Sequence, residues 1–147
     1  MKGLVICQQL IPAWLEGRKT VTRRLMNPQP QYQWADGKPA FMQAEHTPKP
    51  RYRPGETVYI KESCYICGSD SDGAPLAEPP VVYRADGAMK SDEYPHFRSS
   101  LFMPEWAARK EGGHALIVSV RPEQLFGMTG VEARLEGFES LDEFIEL

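Results

Sequence analysis

Leu15-Glu16-Gly17-Arg18-Lys19-Thr20-Val21-Thr22-Arg23-Arg24 packs four cations and two hydroxyl side chains into the eight residues that begin at Gly17. A packed core has no use for that composition. The stretch follows a short apolar run, Gln8 to Glu16, that reads as a helix with Pro12 in its first turn. Gly17 is placed to end that helix. Thr20-Val21-Thr22 is β-branched and leads out as an extended segment. A cationic, hydroxyl-bearing turn at a helix end is either a solvated turn or a place where phosphate or a polar base is held.

Charge sharpens the second alternative. The net charge of −3 hides two halves of opposite sign. Residues 1–61 carry 10 Lys/Arg against 4 Asp/Glu, a net of +6, and residues 62–147 carry 7 against 16, a net of −9. A basic half inside an acidic chain fits a local anionic partner, not a general nucleic-acid coat. At 147 residues the chain is expected to form one domain with a core of its own. No run approaches the ~20 apolar residues of a membrane span, and Met1–Cys7 is too short an apolar stretch for a signal peptide. The cytoplasm is the default location.

Three cysteines, Cys7, Cys64 and Cys67, argue against a disulfide framework. Cys64-Tyr65-Ile66-Cys67 is a lone C-x-x-C, and a structural zinc site needs two further ligands. His46, His96 and His114 are scattered. Reduced, partly buried thiols are expected, with no metal and no cofactor. Neither a phosphate-binding loop nor a dinucleotide fingerprint is present.

Outward from the opening stretch, Leu4 to Cys7 reads as a buried strand. A small hairpin is expected around Ala35-Asp36-Gly37, pairing Tyr32–Trp34 with Phe41–Gln43. Thr57 to Glu62 alternates as a strand after the turn at Pro54-Gly55. Gly68 to Pro80 reads as a polar loop, and Val81 to Arg84 as another strand. Pro104 to Arg109 reads as one or two helical turns. Ala115 to Arg121 carries the strongest strand pattern in the chain. Thr129-Gly-Val-Glu132 and Ser140-Leu-Asp-Glu143 are capping boxes that start two short helices. Short strands with few helices and no βαβ rhythm indicate an α+β chain built as a small mixed barrel with helices at its mouth.

Four stretches together resemble the ASCH domain family, part of the PUA-like superfamily, in its phage and prophage form. They are Leu15 to Arg24, Arg53-Pro54-Gly55-Glu56-Thr57-Val58-Tyr59-Ile60-Lys61-Glu62, Leu101-Phe102-Met103-Pro104-Glu105-Trp106-Ala107-Ala108-Arg109, and Ala133-Arg134-Leu135-Glu136-Gly137-Phe138. They occur in the family's order and span nearly the whole chain. The resemblance implies a PUA-like β-barrel with a cleft beside the helix that precedes Gly17. It implies an RNA or nucleotide-like ligand. Some small family members are amidohydrolases that remove the acetyl group from N4-acetylcytidine, using a Lys, a Thr and a Glu, and others are described as ribonucleases. Carried over motif by motif, that trio falls on Lys19, Thr22 and Glu136. Arg18, Arg23, Arg24, Glu62 and Arg109 are the accompanying ligand-binding candidates.

The chain departs from the family in two places. The strand after the Pro-Gly turn ends Glu62-Ser63-Cys64, where relatives typically carry Glu-Thr-Trp. The usual final strand rich in Trp and Val is not found after Phe144-Ile145-Glu146-Leu147. This implies either a C-terminally truncated domain or an open barrel edge covered by a partner chain.

The residues constrain the chemistry independently. A Thr hydroxyl needs an activating base, and a lysine serves only if burial lowers its pKa. A glutamate could then protonate a leaving amine. On a straight strand Lys19 and Thr22 face opposite ways, so a shared cleft demands a bend between them. One of Arg23 and Arg24 is expected to reach Glu136 or a phosphate. Glu136 stands at a helix C-terminus, where the dipole disfavours a carboxylate. Tyr59 and Trp106 are either core aromatics or stacking platforms for a base.

Overall fold

The computed structural model describes residues 1–24, 32–35, 38–41, 50–68, 78–121 and 128–145, with the backbone alone for 32–35 and 38–41. Two small three-stranded sheets, a separate hairpin and three short α-helices make a mixed α+β fold.

The first sheet is centred on β4 (Thr57–Lys61). Its neighbours are β1 (Lys2–Val5), parallel and in register Lys2↔Val58 to Val5↔Lys61, and β8 (His114–Leu116), antiparallel. Val58, Tyr59 and Ile60 are all buried. A strand buried on both faces must be apolar at consecutive positions, which is what this β-branched and aromatic run supplies. Val58 and Ile60 join Leu4, Ile6 and Ile11 in one cluster. Tyr59 faces the other way and donates its hydroxyl proton to the Met103 carbonyl at 3.2 Å.

Glu62 and Ser63 carry the chain from β4 directly into β5 (Cys64–Ile66), the centre of the second sheet. There β6 (Val81–Tyr83) and β7 (His96–Arg98) flank β5, both antiparallel. Cys64, Ile66, Met103 and Ala107 form a second cluster beneath it. The hairpin pairs β2 (Tyr32–Ala35) with β3 (Lys38–Phe41) in register Tyr32↔Phe41.

Near the N-terminus, a single 3-10 turn over Gln8–Leu10 runs into α1 (Ile11–Leu15), with Pro12 in its first turn. Late in the chain come α2 (Gly130–Leu135) and α3 (Leu141–Ile145). The Thr129 capping box is complete, since the Thr129 side chain accepts from the Glu132 amide and the Glu132 carboxylate accepts from the Thr129 amide. The Ser140 box is half formed. Ser140 Oγ accepts from the Glu143 amide, but the Glu143 carboxylate accepts from the Glu139 amide instead.

Several expectations shift. The described strands form separate sheets and no closed barrel. The hairpin's second strand starts at Lys38, ahead of the expected Phe41, while Asp36, Gly37, Met42 and Gln43 lie outside the described residues. So do residues 69–77 of the expected polar loop. The strong strand pattern of Ala115–Arg121 forms ladder pairs only to Leu116. Ile117 still exchanges bonds with Glu56 and Gly55. Gly55, at φ +82°, then turns the partner strand away, and Val118 is 81% exposed. β5 had no sequence forecast, and β7 runs into a stretch, Phe97 to Arg109, whose pattern reads as irregular; both owe their form to their neighbours.

A bracket between two helix ends

α1 and α2 stop by the same device. In α1, the Arg18 amide donates to Ala13 O and the Gly17 amide to Trp14 O; in α2, the Phe138 amide donates to Ala133 O and the Gly137 amide to Arg134 O. Both patterns are Schellman motifs, and both place a glycine in the left-handed region, Gly17 at φ +75° and Gly137 at φ +99°. The opening stretch of sequence lies between these two ends. Lys19 also donates its amide to Ala13 O of α1, and the Thr20 and Val21 amides both donate to Leu135 O of α2. Lys19 is buried between the helix ends while Thr22 is exposed, so the cleft expected to hold both side chains is not formed in this arrangement.

Candidate functional site

Lys19 enters the gap between the helix ends and is 3% exposed. Its Nζ donates to Val21 O at 2.8 Å, Glu136 O at 2.6 Å and Glu136 Oε2 at 2.9 Å. All three ammonium protons are thereby used. Glu136, 4% exposed, is the C-cap residue of α2. A carboxylate there is unfavourable against the helix dipole, and the ammonium answers both the terminal carbonyl and the carboxylate. Arg23 NH1 bonds the other oxygen, Glu136 Oε1, at 3.1 Å, while Arg23 NH2 lies 3.6 Å from Glu132 Oε1. Glu136 thus has a different cation on each oxygen. Gly137 closes over the lysine stem, since a Cβ on it would sit 3.1 Å from both Ala13 Cβ and Lys19 Cβ.

Burial is the largest influence on Lys19 and lowers its pKa from the ordinary 10.5. The hydrogen bond and charge of Glu136 resist that change, while Arg24 and Arg23 reinforce it. The outcome is an amine that gives up its proton more readily than a surface lysine.

The remaining candidates separate in space. Arg24 is exposed and donates to the Val5 carbonyl at the end of β1. Arg18 is exposed and pairs with Glu16 at 2.7 Å. Thr22 is exposed, three residues beyond the buried lysine. Two open hollows flank α1. One of about 400 Å³ is lined by Gln9, Pro12, Ala13, Arg18, Gly137 and Glu139 among others. The second, of about 470 Å³, is lined by Cys7, Gln8, Gln9, Pro12 and Ala85. Arg18 is the sequence candidate on these walls. Ala13 and Gly137 form the floor that separates the first hollow from Lys19.

Glu62 and Arg109 make a second cluster at the junction of the two sheets, in which Glu62 is buried, Arg109 half-buried and their partner Asp86 exposed. Arg109 Nε bonds Glu62 Oε1 at 2.6 Å and its NH2 bonds Glu62 Oε2 at 2.9 Å. The same guanidinium holds both oxygens of Asp86 at 2.9 Å. It also lies 4.0 Å over the Tyr83 ring, whose hydroxyl donates to Ala107 O. Burial works against the Arg109 charge, but the hydrogen bonds it donates to Glu62 and Asp86 prevail and raise its pKa. Burial also pushes the Tyr83 hydroxyl up to about 12 and the Cys64 thiol up to about 11. Sequence reading missed Asp86 and Tyr83. Nothing local marks the aspartate of Ala85-Asp86-Gly87 as the partner of an arginine 23 residues away.

Of the aromatic candidates, Tyr59 is a core residue and Trp106 is 57% exposed. Cys64 is buried, Cys67 half-buried and Cys7 exposed. Among the described residues, no group of three His, Cys, Asp or Glu is placed to hold a metal ion, and no helix is long and apolar enough to cross a membrane.

Comparison of the chain with protein-family models, with curated proteins and with solved structures gives no match.

Proposed function

We propose that this chain is an ASCH domain of phage or prophage type that binds RNA or a nucleotide-like ligand. In this reading the fold is a PUA-like mixed barrel with its helices at the mouth, and the ligand meets the bracket between α1 and α2. One observation carries it. Lys19 and Glu136, singled out as partners by resemblance across 117 residues of sequence, meet at 2.9 Å in a buried pair. Arg23 at this pair, and Arg18 and Arg24 elsewhere in the same stretch, supply cations for a phosphate backbone. The test is titration of the full chain with a labelled 20-nucleotide single-stranded RNA at two salt concentrations. Salt-sensitive binding that falls at least about tenfold in the Arg23→Gln/Arg24→Gln double variant supports the reading. Unchanged binding in that variant removes it.

The lowered pKa of Lys19 favours a second reading, an amidohydrolase acting on N4-acylated cytidine. Thr22 Oγ would attack the acyl carbonyl and pass its proton to Lys19 once that amine has given up its own. The proton would pass through Glu136 to N4 as the C–N bond breaks, cytidine would leave as the amine, and water would hydrolyse the acyl-threonine to the free acid, restoring the Thr22 hydroxyl. Incubation of N4-acetylcytidine with the full chain should release cytidine and acetate. A flat time course excludes this reading, and shortening of an RNA substrate in the same samples would point to ribonuclease activity instead.

A further inference from the structure

Lys19 and Glu136 are sealed. Their side chains are 3% and 6% exposed, and every ammonium proton and both carboxylate oxygens are engaged within the protein. No ligand can touch either group in this arrangement. One of the two walls must move.

The wall formed by residues 18–24 is anchored to the body. The Arg18 and Lys19 amides bond Ala13 O of α1, and Arg24 bonds Val5 O of β1. Ile11 of α1 and Leu4 of β1 belong to the main cluster. The opposite wall is α2 with its C-cap. At six residues α2 is too short to persist without docking. It buries Ala133 and, just beyond its end, Phe138, but leaves Val131 65% and Leu135 40% exposed. Phe138 has Phe144 edge-on at 5.2 Å, a contact with α3 that would travel with the segment. Its attachment to residues 19–23 is polar: two amides onto Leu135 O, two Lys19 bonds onto Glu136, and the Arg23 fork onto Glu136 and Glu132. A short helix that leaves two of its apolar side chains exposed and is held to residues 19–23 by polar fastenings has the features of a segment that opens below the global unfolding free energy.

We propose that Thr129–Phe138 is a strap whose release from residues 19–21 gates access to the Lys19–Glu136 pair. The proposal rests on the reading of that pair as the ligand site, but the motion can be observed without a ligand. The amides report it directly. Thr20 and Val21 are protected by Leu135 O of the strap, Arg18 and Lys19 by Ala13 O of the body, and Ile60 by Gly113 O of the central sheet.

Native-state hydrogen exchange by NMR on the full chain is the test. Thr20 and Val21 should exchange at least about tenfold faster than Ile60, with rates that low urea does not change. Arg18 and Lys19 should stay with Ile60. Glu136→Gln should speed Thr20 and Val21 by a further factor of about ten while Ile60 is unmoved. Arg23→Gln, which removes the fork and leaves Lys19 in place, should move them in the same direction. Exchange of Thr20 and Val21 in step with Ile60, at the same urea dependence, overturns the strap. Fast exchange at Thr20 and Val21 in a chain that binds no 20-nucleotide RNA leaves the strap standing and removes the ligand reading.

Discussion

Two clusters of charge are each built around a buried carboxylate, and they follow opposite plans. At the sheet junction one guanidinium serves two carboxylates, Glu62 and Asp86, and stacks on Tyr83. At the helix ends one carboxylate, Glu136, serves two cations, Lys19 and Arg23. The first arrangement has a single point of failure that is permanently charged. An arginine cannot lose its proton in the working range, and its planar fork fits both carboxylates at once. The second has redundancy and a group able to titrate, because burial has already lowered the lysine. Fixed charge suits a clamp that holds two sheets together. A titratable amine beside an ionisable carboxyl suits a site.

Removing Arg109 should do the most harm. Arg109→Met leaves Glu62, 2% exposed, without its cation, and a loss of about 3–5 kcal/mol is expected from urea unfolding. Arg109→Lys should recover less than half of that, because an ammonium supplies neither the bidentate bonds nor the stacking. A loss below about 1 kcal/mol in Arg109→Met would make the junction no clamp, and the contrast between the clusters would collapse.

Lys19→Met is the matching change at the helix ends, and the expected loss is smaller, about 1–3 kcal/mol. Glu136 keeps Arg23 on its Oε1, and methionine fills the volume under Gly137. The carbonyls of Val21 and Glu136 lose a donor, which is why the cost is not zero. RNA binding or turnover should fall far more than stability does. If stability falls as much as in Arg109→Met while function persists, Lys19 is a structural cap and nothing else.

The two regions should also answer alkali with opposite signs. Cys64 and Tyr83, beside the junction, have pKa values raised to about 11 and about 12. Above pH 9 the unfolded thiol ionises first, so stability present below pH 9 is lost as pH rises towards about 11; Tyr83 adds the same trend from pH 10 upward. Lys19 is lowered from 10.5, so just below that pH the unfolded chain binds the proton that the folded chain has shed. Its contribution therefore makes stability rise with pH in that window. Cys64→Ala should flatten the alkaline decline, by up to about 2 kcal/mol at pH 11. Lys19→Met should steepen it. Parallel unfolding profiles for wild type and both variants between pH 8 and 11 would show that neither group titrates as its surroundings imply.

These contrasts were legible in the sequence to unequal degrees. Thr57–Lys61 announced itself by its alternation after the Pro54-Gly55 turn, although the strand is buried at three consecutive positions, Val58, Tyr59 and Ile60. Gly17 and the Thr129 capping box were visible because helix ends carry local chemistry. The Lys19–Glu136 contact came from resemblance and not from pattern, since no local rule links residues 117 apart. The Arg109–Asp86 contact had neither source. β5 and β7 escaped because their form comes from ladders to partners distant in sequence. The Ala115–Arg121 pattern overran its ladder because an intrinsic β tendency cannot supply a partner, and the partner turns away at Gly55.

The smallest structural effect is expected at Thr22, and it bears most directly on what the helix-end cluster does. The residue is exposed, while Lys19 is sealed beneath Gly137 and Ala13. Thr22→Val keeps the β-branched shape and removes only the hydroxyl, so stability should stay within about 0.5 kcal/mol of the wild type. A binding site built from cations is indifferent to that oxygen, and RNA affinity should not move. An amidohydrolase depends on it wholly, and release of cytidine from N4-acetylcytidine should vanish. Thr22→Ser, which restores the hydroxyl, should bring release back. Turnover that survives Thr22→Val would show that the nucleophile lies elsewhere. The pairing of Lys19 with Glu136 would then serve binding and the docking of α2, and the helix ends would differ from the sheet junction in being able to open, not in being able to react.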